Sequence, residues 1–230
     1  MNHKKECQNN LRLSANLISV LFHPLFILYY IFLTLHTITP VAFMFSENRQ
    51  RVAVHLLVFG LSVFFPLIST IALRAAGLIK SIRLEDSKER IGPMIATIIF
   101  YVWLFLNYKQ FGIGPDIFIG TILGATIALS IAFLINNFSK ISLHCVGAGG
   151  LVGAIGTYRM AIPELAYSFS FGQNTLEYSP NILLALIIII AGLIGSARLY
   201  LNVHKEKDVY GGYIIGFTAQ IVAYMIMGPF

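Results

Sequence analysis

A chain of 230 residues that is 57% hydrophobic and only 11% charged carries less than half the charge of an ordinary soluble domain, which is about one quarter charged; disorder, coiled coil and collagen are excluded by the same numbers. Two cysteines, Cys7 and Cys145, are too few for a disulfide-stapled scaffold. A mean hydropathy of +0.77 makes lipid the main solvent, and the net charge of +6 points to anionic lipid or a phosphorylated substrate rather than nucleic acid.

A bilayer core of about 30 Å takes roughly 20 apolar residues per helical span, and on that basis about seven candidate spans are found. The first, near 16–39, follows a polar, basic start; its apolar run is too long for a signal peptide and no small-residue cleavage site follows, so it reads as an uncleaved anchor. His23-Pro24 inside it marks a kink, with a polar contact near the joint-bearing face as the alternative reading. The second covers about 52–79, the third 92–109 and the fourth 112–136. A fifth, about 144–162, is weaker, being rich in small residues and carrying Arg159. A polar loop with aromatics (ELAYSFSFGQNTLEYSP) leads to the sixth, about 181–201, and the seventh, about 210–229. No run alternates as barrel strands would, and the short gaps leave no room for a soluble domain. The expected fold is an all-α, polytopic transmembrane bundle of six or seven spans, a single domain over 1–230.

Charge gathers in three joints between spans: Lys80–Arg90, Asn136–His144 and Arg198–Asp208. Two spans separate each joint from the next, so all three lie on one face of the membrane with the N-terminus. Arg83 and Arg90 are seven apart, which on a helix drifts by only ~20°. His204 and Asp208 are four apart and share a helical face, so the carboxylate can fix the imidazole tautomer. Arg198 and His204 converge only if the chain bends between them. Guanidiniums are planar forks suited to phosphate oxygens, and two histidines, one backed by a carboxylate, suit a nucleophile and a general acid.

Other features read more plainly. Lys80, Lys88, Lys140, Lys205 and Lys207 are snorkelling or topology residues. Gly149 and Gly153, within a glycine-rich run that lacks a preceding strand, mark small-xxx-small helix packing rather than a dinucleotide loop. His36 and His55 sit near the opposite interface and need no function. Arg159 snorkels to the far face or pairs with Glu164. Cys145 beside His144 does not make a metal pair.

The three joints resemble the signatures of the type 2 phosphatidic acid phosphatase family. That family's first signature is Lys, six residues, Arg-Pro; here Arg83 and Arg90 keep the spacing, with Ile91 in place of Pro. Its second is Pro-Ser-Gly-His, matched by Ile141-Ser142-Leu143-His144. Its third is Ser-Arg, five residues, His, three residues, Asp, matched by Ala197-Arg198, His204 and Asp208. The resemblance covers about 83–208 and implies a membrane lipid phosphatase, a phosphoric monoester or diphosphate hydrolase in phospholipid metabolism. It implies that His204 attacks phosphorus and forms a phosphohistidine, oriented by Asp208. His144 then protonates the leaving alkoxide and activates water, and Arg83, Arg90, Ser142 and Arg198 hold the phosphate oxygens. It implies no metal and no other cofactor; the expected partners are a lipid phosphate and membrane lipids, with no nucleic acid. The alternative is an inactive relative that binds phospholipid or polyprenyl-phosphate headgroups. A transporter is suggested only by the number of spans.

Of the 16 Lys and Arg residues, only Arg49, Arg51, Lys109 and Arg159 lie away from the joint-bearing face. The positive-inside rule therefore puts the joints in the cytoplasm of a bacterial inner membrane or its equivalent. The resemblance points the other way, since many relatives act on the outer face.

Overall fold

Apolar solvent offers the backbone no hydrogen-bond partner, so the chain satisfies its own amides in helices. The computed structural model describes residues 2–43, 45, 47–82, 84, 86–161, 167–171 and 174–228, with backbone alone at 2–5, 40–41, 167–171, 174–178 and 180. Among these residues lie α1 (Asn2–Leu21), α2 (Pro24–Ile38), α3 (Asn48–Phe59), α4 (Phe65–Ala75), α5 (Ile91–Phe111), α6 (Asp116–Asn136), α7 (Leu143–Ala161), α8 (Pro180–Tyr200) and α9 (Glu206–Met227). The fold is an all-α bundle, as the sequence implies.

Five helical stretches are long and apolar enough to cross a membrane, six if one bent pair counts as a single span. The upper count lies within the six or seven expected, and a seventh is not reached for two reasons. The first concerns the span at 16–39, which is a broken pair rather than a kinked helix: α1 and α2 meet at 64°. Pro24 has no N–H to give α1 and its ring collides with the preceding turn. It takes the first turn of α2 instead, with His23 as the N-cap whose Nδ1 accepts the Leu25 N–H at 3.4 Å. Alone, the 15 residues of α2 rise only about 22 Å. The second reason is α7, whose glycines and alanines dilute its hydropathy although its 19 residues are of spanning length, about 28 Å.

Other boundaries move for local reasons. The second span is one helix of 28 residues, Asn48–Ala75. A π-helical turn at Gly60–Phe64 sits beside Pro66, where the missing N–H interrupts the regular ladder. Gly112 and Gly114 adopt φ of 58° and 73°, so α6 starts at Asp116 rather than near 112. The polar loop expected at 164–180 contains an antiparallel hairpin, β1 (Tyr167–Phe171) with β2 (Asn174–Tyr178), in the register Tyr167↔Tyr178.

The centre of the bundle is the crossing of α7 and α9. A methyl group added at Gly149 would run into the Tyr213 carbonyl, and one at Gly216 into the Val146 carbonyl. A methyl at Gly153 would stand 3.0 Å from the Phe217 carbonyl oxygen. The glycines thus let the two backbones touch, the packing that the sequence predicts for Gly149 and Gly153. At the far end, Phe32, Phe43 and Phe118 gather against His36 and His55, whose rings stand 5.0 Å apart. Arg159, in the last turn of α7, donates to Asn181 Oδ1 at 3.5 Å; Glu164 lies outside the described residues.

Gly216→Ala should force α7 and α9 apart and cost about 1–3 kcal/mol by overpacking. Thermal unfolding in detergent checks this: a melting temperature equal to the wild type's would contradict the close crossing.

Candidate functional site

Each joint contributes through a helix end, and hydrogen bonds tie the three together. Arg90 closes a 3-10 turn, Lys88–Arg90, ahead of α5. Its Nε donates to Leu84 O at 2.8 Å and its Nη1 to Ile141 O at 3.2 Å, binding the first joint to the second. Asn136 Nδ2 repeats that link by donating to Ser87 O at 2.7 Å. The Ser142 N–H donates to Asp208 O at 3.2 Å, binding the second joint to the third.

The bend that Arg198 and His204 require is present. Arg198 lies in the last turn of α8, where a cation faces the helix carbonyls. The chain then turns through Asn202, at φ 55°, a left-handed conformation that Asn tolerates. His204 does not share a helix face with Asp208, contrary to the sequence reading, because α9 begins only at Glu206. The two meet across the N-cap. Asp208 Oδ2 accepts the Lys205 N–H at 3.1 Å and stands 3.5 Å from His204 Nδ1.

Desolvation sets the electrostatics. Arg90, His204 and Asp208 are only 8%, 8% and 5% exposed. Burial, and then the charges of Arg90, Arg198 and Lys140, push the His204 imidazole down to about 4, against the opposing pull of Asp208. His204 is therefore neutral at pH 7, with Nδ1 turned to the carboxylate and Nε2 available as a nucleophile.

Arg90, His144, Arg198 and His204 line one cavity of about 380 Å³. His23 joins them, its ring 5.5 Å from that of His144. Beyond this polar end the walls are mainly apolar, built from Ile27, Leu28 and Ile31 of α2, Met94 and Tyr101 of α5, and Leu129 of α6, with Thr70, Thr97 and Gln220 as polar exceptions. Along α5 the lining runs from Arg90 to Tyr101, about 16 Å of helix rise. Among the described residues, Asp208 and Ser142 are the expected site residues absent from the lining. Both are buried, and Arg83 lies outside the described residues. Among the described residues of this site, the Ser142 hydroxyl, Arg198 Nε and His204 Nδ1 are buried without a hydrogen-bond partner.

Two contributors come from the broken first span. Ser19 Oγ accepts from Arg198 Nη1 at 3.1 Å, and Ser19 O lies 3.0 Å from His144 Nε2. Sequence reasoning passed over Ser19 and preferred a kink for His23, whose contact near the site was the alternative reading. For His23 the available signal was a His-Pro break in an apolar run on the same face as the joints. Among the described residues, no three His, Cys, Asp or Glu side chains stand together as a cation site; the positive charge here comes from guanidinium groups. Comparison with protein-family models, curated proteins and solved structures gave no match to this chain.

Replacing Arg90 strips the Leu84 and Ile141 carbonyls of their donor. Arg90→Ala should lower stability by about 2 kcal/mol, and Arg90→Lys should restore only part of it, because an ammonium lacks the planar fork. Denaturant or thermal unfolding of both variants checks this; equal stability of Arg90→Ala and wild type would contradict the tie.

Proposed function

We propose that the chain is a membrane-embedded, metal-independent phosphatase of lipid phosphates. One observation carries the reading: a single cavity has guanidinium and imidazole groups at one end and an apolar body beneath them, the shape of an amphiphile with an anionic head. Arg90 and Arg198 would hold the phosphate oxygens, joined by Arg83 if the resemblance extends to it. Their charge lies where negative charge builds on the equatorial oxygens. His204 Nε2 attacks phosphorus and the P–O bond to the lipid breaks; His144, which takes up a proton together with the anionic phosphate, supplies the proton that the leaving oxygen needs. Water then attacks the phosphohistidine, giving its proton to His144 and releasing inorganic phosphate. Asp208 holds His204 with Nδ1 inward through both steps. By the positive-inside rule the site faces the cytoplasm.

A second reading, headgroup binding without turnover, is favoured by two features. Ser142 is buried and absent from the cavity lining, and Leu143 stands where the glycine of the family it resembles lets the backbone approach phosphate.

Purified protein should release phosphate from a panel of lipid phosphates in EDTA, and His204→Ala should lower the rate at least about a hundredfold. Equal release by the two proteins would defeat the enzymatic reading; Arg198-dependent binding without release would establish the second one.

A neutral His204 predicts that kcat/KM keeps its nucleophile well below pH 6.5, with an acid limb nearer 4. Lys140 depresses the imidazole, so Lys140→Gln should move the limb to higher pH. A limb at the same pH in both proteins would contradict this assignment.

A further inference from the structure

The groups that the phosphatase reading assigns to phosphate are already engaged by the chain itself. Arg198 Nη1 donates to the Ser19 hydroxyl, and His144 Nε2 lies at hydrogen-bonding distance from the Ser19 carbonyl oxygen. Two oxygens of one residue thus face the guanidinium and the imidazole as two oxygens of a phosphate would. We propose that Ser19 is an internal stand-in for the substrate's phosphate, and that α1 is a gate which the phosphate displaces on binding. The inference rests on the phosphatase or headgroup-binding reading of this site and adds its regulation.

Three features give the gate its mechanism. Ser19 offers only neutral acceptors, whereas a phosphate adds opposite charge and a pair of oxygens that match the guanidinium fork, so a phosphate wins the exchange. Arg198 Nε, buried and without a hydrogen-bond partner, shows that Ser19 leaves part of the guanidinium's donor capacity unused.

The segment carrying Ser19 is also hinged. α1 ends at Leu21 and α2 begins at Pro24, at 64° to it, and a proline transmits no helical hydrogen bond backward. The Tyr30 hydroxyl, on α2, donates to Leu21 O at 2.9 Å and anchors the hinge while the rest of α1 can swing.

Finally, α1 is lightly held. It packs chiefly along α8, burying Ala15 and Ser19, whereas Leu13, Leu17 and Leu21 are exposed and would face lipid whether α1 is docked or lifted. Val20, His23 and Pro24 wall the cavity, so lifting α1 frees Arg198 and widens the cavity together. The His23 ring against His144 couples hinge and site.

The test is calorimetric binding of dodecyl phosphate and of inorganic phosphate to the full chain in detergent. Ser19→Ala should bind both probes about three- to tenfold more tightly, since one hydrogen bond to a charged group no longer competes. Ser19→Asp, which places a carboxylate on Arg198, should weaken both at least about tenfold. Unchanged or weaker binding by Ser19→Ala would overturn the stand-in, and tightening for dodecyl phosphate alone would place the grip of α1 on the lipid chain and overturn it as well. Arg198→Ala separates the two readings: if it binds both probes as tightly as wild type, the phosphate site itself fails, whatever Ser19 does. In the wild type, amide exchange over residues 15–22 should rise when dodecyl phosphate binds; unaltered exchange would overturn the gate.

Discussion

The close crossing of α7 and α9 is the contact on which the rest depends. Both helices begin at the charged end of the bundle. Because their glycines let the backbones touch at Gly149 and Gly216, the Ser142 amide reaches the Asp208 carbonyl. The distance between the second and third joints is thereby fixed by main chain rather than by flexible side chains. His144 and His204 inherit their separation from that crossing. Helix association in lipid draws little on hydrophobicity and much on close packing, so glycines are an economical way to set such a distance.

Around that fixed frame the site concentrates positive charge. Two guanidiniums, the buried Arg90 and the half-buried Arg198, stand near a neutral imidazole with the Asp208 carboxylate behind it. Arg90 is held by two carbonyls and Arg198 by one hydroxyl. This asymmetry divides their work: Arg90 is as much a tie between joints as a ligand for an anion, while Arg198 has donors to spare. A buried positive charge short of acceptors is costly, and an anionic headgroup relieves that cost where an apolar ligand would not.

Much of this was legible in the sequence, and the failures have physical causes. The charge scarcity identified the solvent. The placement of Arg90, His144, Arg198 and His204 at joints separated by paired spans put them at one end, where they line one cavity. Gly149 and Gly153 revealed the central packing. What stayed hidden were local backbone decisions. A His-Pro pair within an apolar run looks like a kink, yet whether the helix bends or breaks depends on what the freed turn can pack against, here α8. Serine and aromatic alternation at 167–171 carried a period of two, but its polarity made it look like a loop. The start of α9 at Glu206 follows from an acidic first turn and the bond from Lys205 to Asp208, which the helix-face argument for His204 and Asp208 did not weigh. Ser19 carried no signal, since a serine late in an amphipathic helix is unremarkable until its neighbours across 125 and 179 residues are seen.

The central claim is that one cavity takes an anionic head among Arg90, Arg198 and His204 and an apolar chain beneath. Photocrosslinking with an alkyl phosphate bearing a diazirine at the chain terminus tests it most directly. The account predicts labelling at Ile31, Met94 or Tyr101 that disappears in Arg198→Ala. Labelling spread over outward-facing residues such as Trp103 and Leu186, whether or not Arg198 is present, would contradict it.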